Sequence, residues 1–211
     1  MQIDFVFIII VLILSVVVHE VAHGYAANML GDPTARIAGR LTLNPIRHLD
    51  LFGSILLPGL LVLSSSPFLF GYAKPVPYNP YNLRNQKWGE AWVAAAGPLI
   101  NIVIALFFAV LIRVGVAGNF LTPAFVELAS VIIYINVLLA VINLLPIPPL
   151  DGSKVLSVIL PLGLSMQYSN FRNIMERNIF LSFGLLILFI IVFGAPIFRF
   201  IGTISTFLAG I

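Results

Sequence analysis

Two histidines four residues apart, with a glutamate directly after the first, stand inside a run of apolar residues: Val16-Val17-Val18-His19-Glu20-Val21-Ala22-His23-Gly24. On a helix, positions i and i+4 share one face a turn apart, so both imidazoles reach a single ion. Two imidazole ligands, an open position for water and an adjacent carboxylate are what zinc-dependent peptide hydrolysis requires. Zinc brings a bound water to ionise near neutral pH, and the carboxylate takes its proton. The alternative is that polar residues are stranded by chance in a core helix. A charged residue at the centre of a membrane helix costs roughly 2.5–3.5 kcal/mol. His19, Glu20 and His23 fall within a single helical turn and a quarter, and that clustering favours a common metal.

The chain that carries this motif is apolar throughout. Of 211 residues, 60% are hydrophobic and 9% charged, against about 25% charged in a soluble domain, and the mean hydropathy is +1.09. A polytopic α-helical membrane protein is expected. Met1-Gln2-Ile3-Asp4 lacks the basic start of a signal peptide, so the first apolar segment is expected to be retained. With no cysteine, disulfides, thiolate ligands and a cysteine nucleophile are excluded, and any zinc ligand must be His, Asp or Glu. The net charge of +3 reports loop topology before it reports anionic partners, and nothing points to nucleic acid.

Taken in order, the first span covers about residues 3–30 and stops at Gly31-Asp32-Pro33. Residues 34–43 alternate partially and predict a short hairpin or strand pair. Residues 51–63 are apolar but too short for a full span of about 20 residues, and suit a re-entrant or interfacial segment. The proline-rich stretch 68–83 contains Gly71-Tyr72-Ala73-Lys74-Pro75-Val76-Pro77, which predicts an extended edge strand. A second span runs from near Trp88 to Arg113, with Ala94-Ala95-Ala96-Gly97-Pro98 allowing close helix approach. A third covers about residues 124–145 and breaks at Pro146-Ile147-Pro148-Pro149, before a short helix from Asp151. Residues 165–178 are polar. Residues 179–211 exceed one span, and Gly194-Ala195-Pro196 predicts a crossing followed by an interfacial helix or a bent continuation. In all, about four full spans, a re-entrant or interfacial segment and short β-strands near the site form one integral-membrane domain over residues 1–211.

A tetrahedral catalytic zinc takes three protein ligands and a water. The third is sought among Asp4, Asp32, Asp50, Glu90, Glu127, Asp151, Glu176 and His48. Most of these sit in polar loops or at span ends. Asp151 follows a proline-broken helix at membrane depth, where irregular backbone is tolerated only if buried or lining a cavity. It is either the third ligand or a plain N-cap for the helix it begins. Topology bears on the choice: if residues 51–63 dip in and return, spans one and three run the same way and Asp151 meets His23. That arrangement also gathers Arg36, Arg40, Arg47, Lys74, Arg84, Lys87, Lys154, Arg172 and Arg177 on one side, with only Arg113 and Arg199 for the other. By the positive-inside rule the crowded side is cytoplasmic, so the site is expected in the cytoplasmic half of the bilayer.

His-Glu-x-x-His in the first span, Gly97-Pro98-Leu99-Ile100-Asn101 in the second, and Asn143-Leu144-Leu145-Pro146-Ile147-Pro148-Pro149-Leu150-Asp151-Gly152 after the third together resemble the site-2 protease family of intramembrane zinc metalloproteases. The resemblance covers about residues 5–160 and is closest to the compact bacterial type without a PDZ domain. It implies a bacterial cell membrane, one Zn2+ per chain held by His19, His23 and Asp151, and Glu20 as general base. It further implies a catalytic core at about residues 3–160, with a C-terminal span and interfacial segment at about 179–211. It places Asn143 near the reaction centre, where its amide would stabilise an oxyanion. Asn101 is expected to join spans by an interhelical hydrogen bond.

The implied substrates are transmembrane proteins whose helices must be locally unwound before a carbonyl is open to attack. The extended segments 34–43 and 68–77 are expected to supply an edge for the unwound strand. The competing class is an intramembrane metal-binding or metal-transport protein without proteolytic activity. Glu20 discriminates between them, since a transit site needs no general base. Homo-oligomerisation is left open by the sequence.

Overall fold

The structure is a computed structural model that describes residues 5–50 and 74–210. The expected dip at 51–63 and the first part of the expected strand at 68–77 lie outside the described residues. Among the described residues the chain forms seven α-helices: α1 (Phe5–Met29), α2 (Thr34–Ile37), α3 (Gln86–Ala117), α4 (Pro123–Asn143), α5 (Asp151–Ile159), α6 (Leu162–Arg177) and α7 (Ile179–Ala209). Four of them, α1, α3, α4 and α7, are long and apolar enough to cross a membrane.

Each long helix begins and ends for local reasons. Asn85 accepts from the Trp88 amide at the start of α3, Thr122 from Phe125 at the start of α4 and Asn178 from Leu181 at the start of α7, which satisfies otherwise orphaned amides. α1 stops at Gly31, whose φ of +112° is open to glycine and closed to most side chains. α7 runs through Pro196 as one helix, so of the two courses expected it takes the continuation and not a separate interfacial helix. Proline removes one backbone bond, yet outside the helix its neighbours in an apolar setting would lose many more, so the helix continues.

The strand pair expected at 34–43 is absent. Residues Thr34–Ile37 are a helical turn, followed by a reversal at Gly39 (φ +64°). The cause is local chemistry that outweighs weak alternation: the Asp32 carboxylate accepts from the Thr34 amide and hydroxyl at 3.1 and 2.5 Å. This pins the chain as a helix begins. No β-strand occurs among the described residues. Residues 74–79 carry no regular secondary structure and form no ladder, and Pro75 and Pro77 lack an amide hydrogen to give one. Their remaining groups bond elsewhere: Lys74 N–H to the His48 carbonyl (2.8 Å), Val76 N–H to Glu20 (2.9 Å) and Asn79 N–H to Asp32 (2.6 Å).

The Arg84 amide donates to the Leu30 carbonyl at 2.9 Å, so α3 starts beside the end of α1 and runs antiparallel to it. α4 then returns in the direction of α1, joined to it by Asn136 and Ser15. Ala105, Ala109, Ile112, Ala129, Ile133, Val137, Ile201 and Ala209 form the core between α3, α4 and α7. Half of these are alanines, which let the backbones approach closely where lipid offers no hydrophobic drive to hold the helices. At the end remote from the motif, the Arg113 guanidinium donates to the carbonyls of Leu208 and Phe207.

Candidate metal centre

His19 and His23 lie on one face of α1 with their Nε2 atoms 3.1 Å apart. The Asp151 Oδ2 atom lies 3.2 Å from both. The three side chains are the group among the described residues whose ligand atoms gather closely enough to hold a metal. Zinc at bond lengths of about 2.0–2.2 Å in tetrahedral geometry separates its ligand atoms by roughly 3.3–3.6 Å. The observed triangle opens by a few tenths of an ångström to meet that spacing.

The space in front of the triangle is kept by a glycine. A Cβ on Gly97 would stand 2.5 Å from Nε2 of both His19 and His23, where nothing heavier than hydrogen fits. The sequence marks Gly97 as an aid to helix packing and as part of the Gly97-Pro98-Leu99-Ile100-Asn101 motif, without a role at the histidines. The adjacent Pro98 is buried inside the continuous helix and has no N–H to give the Ala94 carbonyl.

Both rings are turned to present Nε2. His23 Nδ1–H donates to the Val93 carbonyl at 2.7 Å, and His19 Nδ1 faces Asn101 Oδ1 at 2.6 Å. Such partners on the remote nitrogen fix tautomer and ring orientation in metal sites. Asn101 therefore does more than join spans, although it also donates to Asn136 on α4.

Asp151 opens α5, but the helix is capped by Leu150 without any side-chain cap bond. The carboxylate makes no cap bond, and its Oδ2 lies toward the histidines. Gly152 lets this turn press against the end of α4, since a Cβ there would overlap the Leu144 carbonyl. Glu20 is half-buried and its Oε2 accepts the Val76 amide. That bond occupies the Val76 N–H that an edge strand would offer a substrate, and 34–37 is helical, while 68–73 lie outside the described residues. Asn143 is half-buried at the end of α4, and its amide donates to the Leu139 carbonyl of its own helix at 3.0 Å.

Charged groups at the ends of the helices brace this end. Arg172 on α6 contacts Glu90 on α3 at 3.0 Å and Ser157 on α5 at 3.2 Å. The Lys154 ammonium sits 5.3 Å from the centre of the Tyr78 ring. Burial works to lower its pKa, but Tyr78, Asp151 and Glu176 hold it above the ordinary lysine value, so it stays charged.

These helices and this cluster are those of a membrane-embedded peptidase. The family described as Peptidase family M50 matches residues 7–121 and 114–191, and the chain belongs to it, which makes it an integral membrane protein of the site-2 protease family. It is 35% identical over 196 residues to "Putative zinc metalloprotease YwhC" of Bacillus subtilis, covering 90% of this chain and 81% of that one. It is 31% identical over 151 residues to "Putative zinc metalloprotease Rip2" of Mycolicibacterium smegmatis, covering 70% of this chain and 55% of the relative. A shorter match, 41% over 64 residues, joins it to "Putative zinc metalloprotease MJ0611" of Methanocaldococcus jannaschii, covering 30% of this chain and 31% of that one. No solved structure matches.

Proposed function

We propose that this protein is an intramembrane zinc metalloendopeptidase that hydrolyses peptide bonds in or near the transmembrane segments of membrane-protein substrates. The observation that carries the reading is the triangle of His19 Nε2, His23 Nε2 and Asp151 Oδ2 with Gly97 open in front of it. The family and the printed names of the relatives agree with it.

In this reading His19, His23 and Asp151 would hold one zinc, which would supply Lewis acidity for the scissile carbonyl and for a hydrolytic water. Glu20, fixed through Oε2 by the Val76 amide, takes the proton from that water and returns it to the leaving amine. Asn143 would donate to the carbonyl oxygen as it gains charge, releasing its bond to Leu139 as substrate enters. The catalytic core covers about residues 3–160 of a single domain, and residues 179–211 add a C-terminal span. His19 lies ten residues before Met29, roughly 15 Å along the helix, so substrate must be presented near the end that carries most of the Lys and Arg, the cytoplasmic side of a bacterial membrane.

Zinc content and cleavage of a single-span substrate are to be measured on purified wild-type, Glu20→Gln and Asp151→Ala proteins. Glu20→Gln is expected to keep one zinc and lose proteolysis, and Asp151→Ala to lose both. Full proteolysis by Glu20→Gln overturns the mechanism.

A further inference from the structure

The assignment of His19, Glu20, His23 and Asp151 leaves one buried polar chain unused. Asn101 and Asn136 are fully buried, and Ser15 nearly so. They link three spans: Asn101 Nδ2 donates to Asn136 Oδ1 at 2.8 Å, and Asn136 Nδ2 donates to the Ile132 carbonyl at 2.9 Å and to Ser15 Oγ at 3.0 Å.

The direction of this chain can be deduced from its far end. A backbone carbonyl only accepts, so the Ile132 oxygen must face the NH2 of Asn136, whichever way an isolated amide would turn. Asn136 then has only its oxygen to offer Asn101. Asn101 meets that oxygen with its own NH2, which turns its Oδ1 toward His19 Nδ1, 2.6 Å away. His19 Nε2 also faces an acceptor, Asp151 Oδ2, but at 3.2 Å; the much shorter contact at Nδ1 takes the single proton of the neutral ring, which leaves the Nε2 lone pair for a metal shared with His23 and Asp151. Reversing any one amide would place two donors or two acceptors face to face at a buried site, which costs about 1–3 kcal/mol.

We propose that Asn136 is a positioning residue for His19: acting through Asn101, it transmits the polarity of the Ile132 carbonyl and holds His19 in its Nδ1-protonated tautomer. The inference rests on His19 being a metal ligand, as proposed above. His23 needs no such relay, because Val93 supplies a carbonyl directly.

The chain has three histidines, so 15N-histidine labelling of metal-free protein in micelles, at a pH where the rings are neutral, resolves each ring. Wild-type His19 is expected as the Nδ1–H form, and Asn136→Leu is expected to mix the two tautomers at His19 while leaving His23 unchanged. Ser15→Ala, which spares the Ile132 anchor, should leave both unchanged. In competition titrations with zinc alone, Asn136→Leu is expected to bind about tenfold more weakly, and to add less than a twofold loss in an Asn101→Leu background. An Nε2–H tautomer in the wild type overturns the proposal without any variant having to fold. So does an unchanged tautomer in Asn136→Leu, or an equal loss of affinity in both backgrounds, which is the mark of a purely structural residue. If wild-type protein binds no zinc, the proposed function fails, while the metal-free tautomer still decides the relay.

Discussion

At the residue scale, the centre depends on a side chain that is missing as much as on those present. Gly97 faces His19 Nε2 and His23 Nε2 so closely that the smallest addition must displace a ring. Gly97→Ala is therefore expected to weaken zinc binding at least tenfold while the four long helices stay formed. Equilibrium zinc titration alongside far-ultraviolet circular dichroism checks both parts, and unchanged affinity would show that the rings have room the structure denies them. Each histidine likewise depends on what its remote nitrogen touches. Val93 and Asn101 hold the rings before any metal arrives, which lowers the ordering cost of binding.

At the scale of elements, the site is assembled by short connections more than by the long helices. Asp32 is completely buried after α1 and accepts from Thr34, Asn79 and Asn82, tying the strap that carries Val76 to the end of the motif helix. Burial alone would raise its carboxyl, but these donors together hold its pKa below the usual carboxylate range. A depressed folded pKa means stability that is present above the ordinary carboxylate pKa and lost as pH falls through the folded value. Acidification below about pH 4 should thus lower the melting temperature of wild-type protein in detergent more than that of Asp32→Asn. Asp32→Asn itself should be less stable near neutral pH, by about 1–3 kcal/mol for its orphaned donors. Equal acid sensitivity in the two proteins would remove Asp32 from this role. On the opposite side of the site, Gly152 meets unyielding backbone at Leu144 and Leu145. Gly152→Ala is expected to push Asp151 off the histidines, with reduced zinc content and roughly 1–3 kcal/mol less stability. A variant with full zinc content would show that α5 can shift freely.

At the scale of the whole molecule, direction of travel decides whether a site exists. α3 reverses α1 and α4 reverses α3, so the chain beyond α4 arrives where α1 ends, and Asp151 meets the histidines. Arg113 and the end of α7 meet at the opposite face. Because the chain has no cysteine, single introduced cysteines report sidedness cleanly. A membrane-impermeant thiol reagent applied to intact cells is expected to label Asn119→Cys, in the exposed α3–α4 turn, and to leave Arg36→Cys unlabelled until the membrane is opened. The reverse pattern would place the site on the outer side.

The sequence by itself determined the apolar spans, the metal motif and the short proline-broken link to Asp151, because these depend on residue type and near neighbours along the chain. Periodicity misjudged 34–43, where a single carboxylate at Asp32 outweighed β-propensity, and it left two courses open after Pro196, of which the chain takes the continuous one. Only the tertiary structure decided that the Asp151 carboxylate turns to the histidines instead of capping its helix, that Gly97 stands against both rings, and that Asn101 and Asn136 connect His19 to the Ile132 carbonyl. Those roles are set by atoms 35 to 132 positions apart in the chain. At such separations a hydrogen bond between side chains leaves no period or spacing to read, and only packing brings the partners within reach.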